Sequence, residues 1–328
     1  MEPISTDRIF SLESEAQFEA LALDVFRFQF HNNRVYGEYC RHLKKNPEQV
    51  SGISEIPFLP LSFFKTHKVV STNLRAEAVF ESSGTTHSTP SKHYVADLEL
   101  YRRSFLKGFN AFYGPLEDYC ILALLPSYLE RKGSSLILMV DGMIHRSGHP
   151  HSGFYLNDLK ALRERLVQLE EQRTKTLLIG VSFALLDLAE RFPMELKHTI
   201  IMETGGMKGR RKEMIREELH QELKKAFRLS RVHSEYGMTE LLSQAYSKGD
   251  GIFNCPPWMK VSTRDPEDPL HPQSHGRTGG INIIDLANLW SCSFLATQDL
   301  GRVHSHGSFE VLGRFDHSDI RGCNLMLL

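Results

Sequence analysis

Glu81-Ser82-Ser83-Gly84-Thr85-Thr86-His87-Ser88-Thr89-Pro90-Ser91-Lys92-His93 is a run of small, hydroxylated residues closed by a proline and two basic side chains. Ser82, Ser83, Thr85 and Thr86 carry hydroxyl donors, Gly84 lets backbone approach an oxyanion closely, and Lys92 or His93 can add positive charge. The stretch reads as a phosphate-gripping loop. It is not a Walker A loop, because no second glycine precedes the lysine. A Ser/Thr-rich run also suits a solvated surface loop, so the partners of phosphate chemistry have to be found elsewhere in the chain.

At 328 residues the chain can bury a large core, and 39 basic against 40 acidic residues create no net field toward nucleic acid or an anionic membrane. Met1 to Glu15 is acidic and lacks an apolar h-region, and nowhere do about 18 apolar residues run uninterrupted. These features predict a cytoplasmic protein whose partners are neither nucleic acid nor membrane. The five cysteines, Cys40, Cys120, Cys255, Cys292 and Cys323, are odd in number and contain no Cys-x-x-Cys pair, so free thiols are expected. The sixteen histidines never form His-Glu-x-x-His, which speaks against a metal cage.

From Ser14 to about Lys45, Phe18, Leu21, Ala22, Val25, Phe26, Phe28 and Phe30 recur near helical spacing and predict one or two amphipathic helices. Their aromatic density suits ordinary core or a ligand pocket. Pro57 and Pro60 then force extended backbone, and a helix is expected from Leu98 to about Phe112. Tyr119 to Leu125 and Leu136 to Val140 read as buried strands or helix segments. Asp158 to Gln172 reads as a helix and Thr176 to Val181 as a strand, with a helix opening at Ser182. Thr199 to Thr204, the turn Gly205 to Gly209 and a helix from Arg210 to Phe227 form a further βα unit. This order implies an α/β layer with a partly parallel sheet, in which ligands bind where strands give way to helices.

Gly205-Gly206 ends a strand, where a flat base could lie on bare backbone, although Gly-Gly alone is simply a turn. The next such point is Tyr236-Gly237-Met238-Thr239-Glu240. Further on, Phe294-Leu295-Ala296-Thr297-Gln298-Asp299-Leu300-Gly301 follows an alternating stretch from Gly276, and Gly313-Arg314-Phe315-Asp316 ends another. Together with the opening loop, these segments resemble, in order, the signatures of the adenylate-forming enzymes, the acyl-CoA synthetase and luciferase superfamily. Gln298 replaces a glycine of the Thr-Gly-Asp-Leu-Gly pattern, and Asp316 stands one residue early for Gly-Arg-x-x-Asp. The Phe-Phe-Lys-Thr-His-Lys approach to the loop and the Ser-Asp-Ile-Arg-Gly-Cys-Asn-Leu terminus most resemble the acyl-protein synthetases of luminescence fatty acid reductase systems, over nearly the whole chain.

The resemblance implies a single domain over 1–328 with the adenylate-forming large-domain fold, mixed sheets flanked by helices. Within it, 1–115 would be helical with the phosphate loop, 116–255 α/β, and 256–328 β-rich, with the small mobile C-terminal domain absent. It further implies a ligase that uses ATP and Mg2+ to convert a fatty or other carboxylic acid to acyl-AMP, then passes the acyl group to a protein thiol and on to a reductase or carrier. Ser82, Ser83, Gly84, Thr85 and Thr86 would hold phosphates, and Gly205, Gly206, Tyr236 and Gly237 the adenine. Thr239 would meet the α-phosphate, Glu240 would hold magnesium, Asp299 would contact ribose, and Arg314 ribose or phosphate. A carboxylate suits magnesium shared with phosphates, and a hydroxyl can donate to an oxygen gaining charge. Lys92 or Arg314 would neutralise the transferring phosphoryl group. Cys323 is either the acyl acceptor, its thiolate favoured by Arg321, or a structural cysteine under the apolar Leu325-Met326-Leu327-Leu328 tail. An acyltransferase fed by carrier- or CoA-bound acyl groups and a noncatalytic acyl- or nucleotide-binding subunit are the competing readings.

Overall fold

The computed structural model describes residues 4–71, 73–82, 89–126, 133–205 and 214–315. They fall into two compact units, divided between Leu74 and Arg75 and again between Pro256 and Pro257. The first unit opens with α1 (Thr6–Ile9), α2 (Glu15–Asn32) and α3 (Arg34–His42). Two helices form because Asn33 serves both ends: its N–H closes α2 on Gln29 O at 2.8 Å, and its Oδ1 accepts from Tyr36 N at 3.0 Å to start α3. The prolines admit only the two-residue strand β1 (Leu59–Pro60), followed by α4 (Phe63–Thr66).

The second unit starts with an antiparallel hairpin, β2 (Ala78–Glu81) and β3 (Lys92–Val95), whose neck holds the Ser/Thr-rich loop. Asp97 caps α5 (Leu98–Tyr113) by accepting from Leu100 N, and Gly114 at φ 83° ends it. There follow β4 (Cys120–Leu124), α6 (Ser135–Ser147), β5 (Gly153–Phe154), α7 (Leu159–Glu171), β6 (Thr176–Val181), α8 (Ser182–Arg191), β7 (Thr199–Thr204), α9 (Arg216–Phe227), β8 (His233–Tyr236), β9 (Ala245–Ser247) and β10 (Ile252–Asn254). The ambiguous run Leu136 to Val140 lies in α6, whose buried Met139, Val140, Met143 and Ser147 keep helical spacing beyond strand length. The helix expected over 210–227 is described from Arg216, since 206–213 lie outside the described residues. In this unit the strand order is β10-β9-β8-β7-β6-β4-β5, parallel from β8 to β5 and antiparallel at β9 and β10.

The chain then returns to the first unit with β11 (Met259–Arg264), β12 (Thr278–Asp285), β13 (Phe294–Val303) and β14 (Phe309–Arg314), an antiparallel run with β1 added parallel to β13. The aromatic stripe of α2 and α3 is core for this sheet. Tyr36 stacks on Phe294 with centroids 5.9 Å apart, and Phe26 meets the same ring edge-on. Amid these rings, wholly buried Gln29 donates to Asn288 O at 3.0 Å and Leu289 O at 2.9 Å and accepts from Ser293 N at 2.9 Å. Every lost water contact of that amide is thus replaced. Among the described residues, no helix is long and apolar enough to cross a membrane.

Candidate active site

In the unit of residues 75–256, the carboxyl ends of the neighbouring parallel strands β7 and β8 are in register, with Thr204 opposite Glu235. Gly205 therefore emerges beside Tyr236 and the turn Gly237 to Glu240, where open α/β sheets present ligands. Gly205 has φ 70°, in the region that favours glycine. Its carbonyl accepts from Ser182 Oγ at 2.8 Å, the first residue of α8. Tyr236 is buried and meets Phe253 edge-on at 5.9 Å. Gly237 leaves room for a neighbour, since a Cβ there would stand 2.4 Å from Glu235 Oε1 and displace that carboxylate. Thr239 is partly exposed and Glu240 buried.

Beneath these turns lies a cluster of charges for which the sequence reading assigned no roles. Glu203 accepts from Arg216 Nε at 3.2 Å and lies 3.7 Å from His220 Nε2 and 3.5 Å from Ser182 Oγ. Burial works to raise its pKa, but His220, the Arg216 charge and Ser234 together hold it below the ordinary carboxylate value. One residue further along the paired strands, Glu235 accepts from Thr204 Oγ1, its partner in the register, at 2.5 Å. Here burial wins: against that bond, and aided by the Glu203 charge, the carboxyl is pushed up to about 7. The signal available in the sequence was a glutamate near the end of each otherwise uncharged buried strand, Thr-Ile-Ile-Met-Glu-Thr and His-Ser-Glu-Tyr, which demands a partner.

At the hairpin, Ser82 N donates to Ser91 O at 3.1 Å and Ser82 Oγ accepts from Ser91 N at 2.9 Å, so Ser82 ties the neck of the loop. Its hydroxyl hydrogen can still donate elsewhere. Lys92 lies 3.3 Å from its cross-strand neighbour Glu81, both about half exposed. The companion expectation that His93 could supply charge is corrected. His93 is wholly buried, Nδ1 lies 2.9 Å from Thr239 O, and burial, opposed by that bond, lowers its pKa to about 4, leaving a neutral ring. Ser83, Gly84, Thr85, Thr86 and Gly206 lie outside the described residues.

In the other unit, Asp299 and Arg314 are cross-strand partners on β13 and β14, and Arg314 Nε donates to Asp299 Oδ1 at 3.0 Å. Asp299 is buried while the Arg314 side chain is 80% exposed, so a buried carboxylate is answered by a surface cation. Arg264, not anticipated from the sequence, is buried nearby in this sheet and donates to Ile281 O at 2.7 Å, Asn282 Oδ1 at 2.8 Å and Thr297 O at 2.5 Å. Cys40, Cys120 and Cys292 are buried, with thiol pKa values raised chiefly by burial, whereas Cys255 is partly exposed and Cys323 lies outside the described residues. Among the described residues, no group of three His, Cys, Asp or Glu could hold a metal ion.

Comparison with known proteins follows the same lines. Residues 6–128 match the family model described as acyl-protein synthetase, LuxE. Over 350 aligned residues the chain is 22% identical to a long-chain-fatty-acid–luciferin-component ligase of Vibrio harveyi, covering 99% of this chain and 91% of that protein. Among solved structures, ATP-bound MatB from Rhodopseudomonas palustris has a TM-score of 0.56 at 18% identity over 73% of this chain. The chain spans about half of MatB, 48% of its length. A 2-hydroxyisobutyryl-CoA ligase in complex with 2-HIB-AMP and CoA gives a TM-score of 0.66 at 13% identity, over 97% of this chain and 73% of that one. By sequence over residues 6–128 the chain is similar to the acyl-protein synthetases, and its fold is that of the adenylate-forming ligases.

Proposed function

We propose that the protein is an acyl-protein ligase of the adenylating kind, with residues 1–328 acting as one such domain in the cytoplasm. A carboxylate oxygen of the acid attacks the α-phosphorus of ATP. The bond to the β-phosphate oxygen breaks, and pyrophosphate leaves with the electron pair. A protein thiolate then attacks the acyl carbonyl, forming a thioester and releasing AMP, which takes the acyl C–O electron pair. The acid is assigned as a long-chain fatty acid because the Vibrio relative is named a long-chain-fatty-acid ligase. A partner reductase or carrier would take the acyl group onward.

The observation that carries this reading is the meeting of two sequence signatures in one unit. The strand leaving the hydroxyl-rich loop reaches the Thr239 carbonyl through His93, beside the adjoining carboxyl ends of β7 and β8. On this reading Thr239 Oγ1 donates to the α-phosphate, and Lys92 exchanges Glu81 for phosphate charge. Glu240 fits a magnesium ion, since magnesium at nucleotide sites needs only one or two carboxylates besides phosphate oxygens. Bound there, the ion would neutralise phosphate charge. Asp299 and Arg314 are assigned the ribose hydroxyls on the resemblance of their motifs. Of the two candidate roles for Cys323, acceptance of the acyl group is the one proposed.

The test is pyrophosphate release measured with ATP and acids of increasing chain length. Release should require both substrates, and Glu240→Gln should abolish it while leaving the unfolding temperature unchanged. Acyl transfer from CoA or a carrier without ATP would refute adenylation, and nucleotide binding without turnover would make the protein a noncatalytic subunit.

A further inference from the structure

Within the unit of residues 75–256, the His93 side chain joins the strand that leaves the phosphate loop to the turn bearing Thr239 and Glu240. Successive residues of a strand face opposite ways. On β3, Lys92 consequently turns outward to Glu81 and His93 inward. The buried ring of His93 is edge-on to Phe80 at 6.4 Å, and Phe80 is edge-on to Tyr101 at 5.3 Å, so its plane is fixed by packing. Nδ1 points at Thr239 O, 2.9 Å away. A carbonyl can only accept, so Nδ1 carries the proton, and the ring acts as a neutral donor.

We propose that His93 is a positioning residue for acyl-adenylate formation, holding the Thr239–Glu240 peptide against β3. The inference rests on the adenylating activity proposed above and adds to it a residue that touches neither substrate. The Thr239 carbonyl lies in the peptide plane that links Thr239 to Glu240. Fixing its direction therefore restrains ψ of Thr239 and φ of Glu240, and with them the directions in which the two side chains leave the backbone. The turn itself closes through Leu241 N, which donates to Met238 O at 3.1 Å, a bond made by the residues on either side of that plane. The bond from His93 acts on the carbonyl of that plane itself, and it comes from the residue next to Lys92.

His93→Asn, His93→Gln and His93→Phe separate this role from mere packing. An asparagine amide nitrogen occupies nearly the place of Nδ1, glutamine carries its donor one bond too far, and phenylalanine fills the space with no donor. The expected result is that His93→Asn keeps kcat for acid-dependent pyrophosphate release within about threefold. His93→Gln and His93→Phe should lose about tenfold or more, as for a lost buried hydrogen bond, with KM for the acid unchanged. Hydrogen–deuterium exchange of the peptide spanning 236–242 should quicken in the Gln and Phe variants and not in Asn. Should the Phe variant fail to fold, the Asn–Gln comparison decides alone. Equal kcat in all variants, or equal loss and equal exchange in Asn and Gln, overturns the proposal. Wild-type protein that releases no pyrophosphate with any acid would refute the activity and the catalytic role together, while exchange, which needs no turnover, still judges whether His93 holds the turn.

Discussion

Replacing Glu235 with glutamine should make the protein's stability less dependent on pH, by an amount that follows from its surroundings. The carboxyl is fully enclosed, accepts from Thr204 and feels the charge of Glu203, and it in turn raises the pKa of the buried hydroxyls of Tyr101 and Tyr246. Its pKa rises from 4.5 to about 7 on folding. The folded chain therefore binds more protons than the unfolded chain between those values. The stability due to this group is complete below the unfolded pKa and is lost as pH rises through the folded one. Between about pH 5 and about pH 8.5 the loss is about 2.5 kcal/mol, from the linkage of proton binding to folding. Glutamine keeps an acceptor for Thr204 and cannot ionise. Chemical denaturation of both proteins at the two pH values gives a double difference in which titrations not coupled to Glu235 cancel. Glu235→Gln should gain about 2.5 kcal/mol on wild type as pH rises across this range. A double difference within about 0.5 kcal/mol of zero, or of opposite sign, would show that the carboxyl ionises as freely in the folded chain as in the unfolded one.

Three other outcomes are expected. Thr85→Val and Thr86→Val should weaken ATP binding far more than AMP binding, by roughly 1.5 to 3 kcal/mol for each lost hydrogen bond to charged phosphate; calorimetric titration showing equal losses would remove the loop from the β- and γ-phosphates. Gln29→Leu should cost about 2 to 4 kcal/mol in unfolding free energy, because it strips partners from the Asn288 and Leu289 carbonyls and the Ser293 amide in a closed core. A neutral substitution there would mean that water or repacking replaces the amide. Cys323→Ser should leave acyl-AMP formation intact while abolishing a hydroxylamine-sensitive acyl label on the protein, since only transfer needs a soft nucleophile; intact-mass spectrometry that finds the label unchanged would move the acceptor to another cysteine.

Much of the site was legible because its parts are local in sequence. The Tyr236 to Glu240 turn follows a strand within one short segment, and the buried runs at 120–124, 176–181 and 199–204 are read directly from continuous apolar composition. A five-residue run such as Leu136 to Val140 has no measurable period, and only the buried Met143 and Ser147 beyond it settle α6 as a helix. Pairings between elements were not legible. Glu203 finds Arg216 and His220, Glu235 finds Thr204, and Asp299 finds Arg314 only through sheet register and helix packing that no single segment encodes. His93 shows the same limit on a smaller scale. Beside Lys92 it resembles a second basic group, but the two-residue period of β3 sends the pair to opposite faces, and burial then removes the charge.

The claim that the carboxylate attacks the α-phosphorus is tested most directly by following an oxygen atom. With a fatty acid carrying oxygen-18 in both carboxyl positions, unlabelled ATP and a thiol acceptor, the AMP released on acyl transfer is collected and its mass measured. Attack at the α-phosphorus leaves one acid oxygen on that phosphate, so each AMP should carry a single oxygen-18. AMP without label, or label found instead in the pyrophosphate or orthophosphate, would contradict acyl-adenylate formation.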